Sequence, residues 1–167
     1  MRTQDEIAAK VAERDDDLLG FRADVLLCFL DYDHAKPLIK PEITREQWDA
    51  MDNSVGGDAP RHPRVLTASD IPEQMAGYMR FAWGKVSDHR SISAGRSVDK
   101  LAALAWLLGD DDVVAFAEDP TNYPQYGAPI LRHICERYGL PIPDDEHLQR
   151  MMQSERCTDD CEEGCGE

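Results

Sequence analysis

The stretch "VDKLAALAWLLG" (98–109) constrains the fold of this chain more than any other. Val98, Leu101, Leu104, Ala105 and Leu108 recur at three- and four-residue spacing, and Ala102, Ala103, Trp106 and Leu107 fill most of the remaining circumference. A helix that is apolar nearly all round has no face to give to water, so other elements must cover it on every side. Gly109 is placed to end it in a left-handed turn. The expectation is an all-α fold: a compact single-domain bundle of about six or seven helices around a buried central helix at 98–108.

The rest of the chain supplies the covering helices. Thr3 followed by Glu6 is a capping-box pattern, with Ile7, Ala8 and Val11 as an apolar stripe behind it. "FRADVLLCFLDYD" reads as a short helix that Pro37 keeps from running far. Thr44 and Gln47 repeat the capping-box spacing ahead of "REQWDAM". "DNSVGGDAPRHPR" is a loop by its glycines and prolines. Asp70 to about Val86 is a long amphipathic helix carrying Ile71, Met75, Tyr78, Met79, Ala82 and Trp83, with Pro72 tolerated in its first turn. Asp110 can cap "DDVVAFAED", whose acids suit a helix N-terminus. "PTNYPQYGAP" reads as a loop. "PILRHICERYGLP" is a helix closed by Gly139 and Pro141. Residues 1–143 form the helical domain. Residues 144–167 form an acidic, cysteine-bearing tail expected to be flexible, with one short amphipathic helix in "DEHLQRMMQ".

Charge narrows the function classes. The chain carries a formal net charge of −15. Residues 144–167 hold nine acids and two bases, whereas 78–102 hold five bases and two acids. An acidic body with one basic island is poorly suited to coating DNA, which requires a broad basic surface. There is no run of ~18 or more apolar residues and so no transmembrane span. The polar start "MRTQDEIAAK" lacks the order of a signal peptide. Five cysteines, three of them crowded at the C-terminus, do not form a secreted disulfide framework. A cytoplasmic location is expected.

Several segments together resemble a family of small proteins from bacteria and their phages: "FLDYDHAKPLIK" (29–40), "YMRFAWGKV" (78–86), "RSISAGRSVDKLAALAWLLGD" (90–110) and "YPQYGAPILRHICERYG" (123–139). The run 90–110 is the most specific. The resemblance implies a mobile-element or prophage accessory protein. It supplies no catalytic residues and does not reach the cysteine tail.

Four features carry potential chemistry. The basic turn "SDHRSISAGRSVDK" offers forked donors from Arg90 and Arg96, hydroxyls from Ser91, Ser93 and Ser97, and backbone access at Gly95. At a helix N-terminus these would cradle a phosphate or carboxylate. Equally, Ser93 can simply cap the central helix while the arginines pair with acids of this chain. Ser97 to Lys100 also fits S-x-x-K, but the companion motifs of penicillin-recognising enzymes are absent. In the tail, Cys157, Cys161 and Cys165 would bind zinc or an iron–sulfur cluster only with a fourth ligand, from Cys28, His133, Cys135 or His147. Their spacing is not that of common zinc modules, and the surrounding acids disfavour thiolates. A thiol-bearing tail without a cofactor is the expected state.

Asp31, Asp33 and His34 can be read as metal ligands, or as residues ending a short helix in water, and the second reading is preferred. His133 and Cys135 point about 200° apart on a helix and cannot easily share an ion. Among the aromatics, Tyr78, Phe81 and Trp106 read as core. Tyr123 and Tyr126, among prolines, read as interface residues together with Asp110, Asp111 and Asp112. The nucleotide, dinucleotide, zincin, nucleophile-elbow and EF-hand motifs are missing.

The chain therefore reads as a non-enzymatic binding protein whose acidic surface meets a host or phage protein, by nucleic-acid mimicry or by inhibition of a host or defence enzyme. The alternative is a helical ligand-binding or enzymatic domain with a phosphate at Arg90, Ser93, Arg96 and Ser97.

Overall fold

A computed structural model describes residues 1–13, 20–38, 44–50, 53–54, 61–62, 65–87, 91–122 and 124–142. The described residues form eight α-helices: α1 (Gln4–Ala12), α2 (Gly20–Leu27), α3 (Tyr32–Ala35), α4 (Arg45–Asp49), α5 (Ile71–Ser87), α6 (Ser91–Leu108), α7 (Asp111–Glu118) and α8 (Pro124–Tyr138). Short 3-10 helices precede α5 (Ala68–Asp70) and α8 (Pro120–Asn122). The all-α expectation holds. Within the stretch read as a loop, Asn53–Ser54 (β1) and Arg61–His62 (β2) make a two-residue antiparallel pair, Asn53 opposite His62 and Ser54 opposite Arg61.

The central helix is α6, which packs against α2, α5, α7 and α8. Val98, Leu101, Ala102, Ala103, Leu104, Ala105 and Leu107 are all buried. Leu108, at its end, is partly exposed. The helix is longer than its apolar run: it starts at Ser91, so the segment expected to be a turn ahead of the helix forms its first two turns. Packing explains the difference. Beside α5 even Ser97 is buried, and burial overrides the low helix propensity of serine and glycine.

The caps form where the spacing placed them. The hydroxyl of Thr3 accepts the Glu6 amide, and the Glu6 carboxylate accepts the Thr3 amide at 2.7 Å. Thr44 and Gln47 do the same for α4. Gly109 and Gly139 take left-handed φ values of 83° and 64°. Asp31 starts α3 instead of ending α2: its carboxylate accepts the His34 amide at 3.0 Å. Tyr32 then meets Trp48 edge-on at 6.0 Å, tying α3 to α4.

Helix α8 begins inside the segment expected to be a loop, and Tyr126 falls on its first turn. Gly127 interrupts the regular helix with φ 83°, which puts Pro129 in the first turn of the run that continues to Tyr138, where a missing N–H costs little. Among the aromatics, Tyr78 and Trp83 are buried and Trp106 is half-buried. Phe81 is 52% exposed, against the expectation of a core residue. Its position on α5 lies just past the edge of the buried arc.

Candidate acidic interface

Arg2 joins two helix N-termini. Its backbone amide donates to Leu107 O at 2.9 Å, which fixes the start of α1 on the end of α6. Its guanidinium lies over the Trp106 ring at 5.2 Å, donates from Nε to Trp106 O at 3.3 Å and from Nη2 to Asp111 Oδ1 at 2.6 Å, and stands 3.9 Å from Glu6. The first turns of α1 and α7 therefore adjoin, with Asp5 and Glu6 on one and Asp111 and Asp112 on the other. Acids are favoured there because the exposed N–H groups and dipole of each helix are positive at that end. The Thr3 backbone and hydroxyl hold the Glu6 carboxyl below its ordinary range.

Asp110 behaves differently from its neighbours. It stands at the N-cap position of α7, but its carboxylate turns to α8, accepting Arg137 Nε at 2.8 Å and the Tyr138 hydroxyl at 2.9 Å. Only 10% of its side chain is exposed. The Arg137 bond, aided by Tyr138, holds its pKa below the usual carboxylate value. Of the three aspartates read as interface residues, Asp110 is a clamp between helices, Asp111 is shared with Arg2, and Asp112 is exposed. An open depression of about 440 Å³ lies over this corner, lined by Leu108, Asp110, Asp111, Asp112, Arg137 and Tyr138.

A second, narrower cleft of about 240 Å³ opens between α2, α6 and α7. Its floor is Ala23, Leu26, Ala102, Ala103, Trp106 and Val114. Its charged rim is matched within the chain. Arg22 donates to Asp99 at 3.1 Å and to Glu118 at 2.6 Å, Lys10 pairs with Glu13 at 3.0 Å, and Asp111 pairs with Arg2. Burial disfavours the Arg22 charge, but its bonds to Glu118 and Asp99 more than offset this and raise its pKa.

Of the four residues expected to cradle an anion, the structure describes the side chains of Arg96 and Ser97. Ser97 lies in the second turn of α6, buried against the core, while Arg96 is exposed and Ser93 sits inside the helix instead of capping it. Arg90 lies outside the described residues. Lys100, the last position of the S-x-x-K match, lies over the Tyr78 ring at 5.0 Å, where burial lowers its pKa.

Tyr123, His147 and the cysteines Cys157, Cys161 and Cys165 also lie outside the described residues. Among the described ones, no group of three or more His, Cys, Asp or Glu is arranged to hold a metal ion. His133 stacks on Phe116 at 4.2 Å, and Cys135 is buried. His34 bridges two carboxylates, with Nδ1 2.7 Å from Asp31 and Nε2 3.3 Å from Asp5. No described helix is long and apolar enough to cross a membrane.

Sequence reasoning missed Arg2 and Arg22, the two residues that organise these surfaces. Each acts on partners about 80 to 110 positions away, and no local spacing announces such a contact. Compared with known proteins, the chain matches no family model, no curated protein and no solved structure.

Proposed function

We propose that this is a non-enzymatic binding protein, an accessory factor of the phage or prophage type, that docks its acidic end on a basic surface of another protein. The observation that carries this reading is the pairing of two acidic helix starts around one half-buried arginine. Asp5 is 94% exposed and Asp111 70% exposed, with Glu6 and Asp112 beside them. Arg2, Arg22 and Arg137 each already pair with acids of this chain, and Asp112 stays exposed beside those pairs. From Leu108 to Leu131 the chain holds five acids and no base. Such a surface speeds association with a basic groove, including one built for nucleic acid, and selects partners more than it adds raw affinity.

The test is capture from host lysate at low and at high salt, using the full chain and a variant carrying Asp5→Lys, Asp111→Lys and Asp112→Lys. One discrete protein is expected at low salt, lost at high salt and lost with the variant. Retention of the same partner by the triple reversal would overturn the reading.

A further inference from the structure

Helices α2 and α7 both pack on α6, and the cleft between them has an apolar floor. Ala23 and Leu26 come from α2, Ala102, Ala103 and Trp106 from α6, and Val114 from α7. Two arginine bridges frame it. Arg22 joins α2 to Glu118 on α7 at 2.6 Å and to Asp99 on α6 at 3.1 Å. Arg2 joins the start of α1 to Asp111 on α7 at 2.6 Å. Asp111 and Glu118 are seven positions apart, which sets the two bridges about 10 Å apart along α7, with Val114 between them.

Size selects what this cleft can hold. An apolar cavity of about 150 Å³ holds benzene, and drug-sized ligands take about 300 Å³ or more. At about 240 Å³ the cleft lies between the two and suits a fused two-ring molecule. The Trp106 ring, steadied by the Arg2 guanidinium 5.2 Å away, gives such a molecule an aromatic neighbour.

Charge selects further. Each charged group on the rim has a partner of opposite sign within the chain: Arg22 has Asp99 and Glu118, Asp111 has Arg2, and Lys10 has Glu13. A charged head group brought here would give up its hydration and find every opposite charge already shared. A ligand without formal charge pays no such penalty and gains by covering the apolar floor.

We propose that the cleft between α2, α6 and α7 is a binding site for an uncharged, flat, apolar small molecule of two-ring size. It shares only Asp111 with the acidic end, through the pair with Arg2, and does not depend on that reading.

Two-dimensional NMR of the full chain, titrated with indole, tests this through the side-chain N–H signals of its three tryptophans. Trp106 lines the cleft, whereas Trp48 and Trp83 are buried elsewhere. The Trp106 signal is expected to shift and saturate, with a dissociation constant of about 1 mM or below, while the other two stay in place. Indole-3-acetate and tryptamine carry the same ring with a negative and a positive charge, and each is expected to bind about fivefold more weakly or worse. Val114→Phe narrows the cleft from a half-buried position and is expected to weaken indole about tenfold. Circular dichroism and a thermal melt verify that the variant folds as wild type does. Should Val114→Phe disturb the fold, Val114→Gln makes the floor polar without filling it and is expected to weaken indole severalfold. No saturable shift at Trp106, an equal affinity in a folded Val114 variant, or tighter binding of either charged ring would overturn the proposal.

Discussion

Arg22 on α2 and Asp99 on α6 face one another at 3.1 Å, and each side chain is only 18% exposed. Burial raises the Asp99 pKa, and the nearby guanidinium only partly offsets this. The pair is therefore costly to bury and costlier to break. Arg22→Met alone leaves Asp99 without its partner and is expected to destabilise the fold by about 2–4 kcal/mol. Adding Asp99→Leu removes the stranded charge and is expected to recover most of that loss. Urea denaturation of the two single variants and the double variant closes the cycle. Additive losses would mean that the two residues are not coupled.

Gly127 is required twice over, unlike Gly77. Its φ is 83°, and a Cβ on it would stand 3.1 Å from Val98 Cγ2, tighter than ordinary van der Waals contact. Gly127→Ala would strain the backbone and push α8 off α6. The expected cost is about 1–3 kcal/mol, against a gain for Gly77→Ala. A Cβ on Gly77 would meet nothing within 4 Å, so thermal melts of the two alanine variants should move in opposite directions.

The parts of this fold that were legible in the sequence are those written within four residues. The caps at Thr3 and Thr44 and the stops at Gly109 and Gly139 each follow from local hydrogen-bonding or φ requirements. The core of α6 was legible because its apolar run leaves no alternative to burial. The start of α6 was not, because serine, glycine and arginine at 91–97 resemble a turn until α5 packs beside them. Phe81 was misplaced because spacing alone does not say where the buried arc of α5 ends. The acidic residues of the candidate interface were partly legible as a charge cluster. Their division into a structural Asp110 and exposed neighbours depends on Arg137 and Tyr138, nearly thirty positions away.

His34 makes part of the stability depend on pH. The Asp31 hydrogen bond is the main cause raising its pKa. Burial opposes that shift, while the charges of Asp31 and Asp5 add to it. A raised folded-state pKa means that the stabilisation is complete below the unfolded value of about 6.5 and is lost as pH rises through the folded value. For Asp31, burial pulls the pKa up, but the His34 bonds outweigh it and lower the pKa. Its share is therefore present above the unfolded carboxylate value and lost in acid. The clasp between α1 and α3 should be strongest near pH 5–6. Comparing melting temperatures of wild type and His34→Gln from pH 4 to 9 should give the widest gap in that window, narrowing towards alkaline pH. A pH-independent gap would show that the imidazolium is not what holds the clasp.

Gln74 is 3% exposed on α5, and neither its amide nitrogen nor its amide oxygen has a partner among the described residues. Burying such a group without hydrogen bonds costs about 1–3 kcal/mol. Gln74→Met keeps the volume and removes both polar atoms, so it is expected to raise stability by about 1–2 kcal/mol. A loss in chemical denaturation would mean that the amide is satisfied in solution.

Asp110 and Asp112 are two positions apart and should fail in different ways. Asp110 holds α7 to α8 through Arg137 and Tyr138, so Asp110→Ala removes the acceptor of three side-chain bonds, two from Arg137 and one from a half-buried tyrosine. The expected cost is about 1–2 kcal/mol, with the exposed Arg137 contributing the smaller part. Asp112 is exposed at the helix start, and Asp112→Ala should cost no more than about 0.5 kcal/mol from the lost dipole interaction. Stability and partner capture measured on the same two variants separate the roles. If the acidic end is the docking surface, Asp112→Ala weakens capture while the fold stays intact, and the effect shrinks as salt rises. Asp110→Ala lowers the melting temperature first and reduces capture only as the fold is lost. An Asp112→Ala chain that binds its partner as wild type does at low salt would take the start of α7 out of the interface.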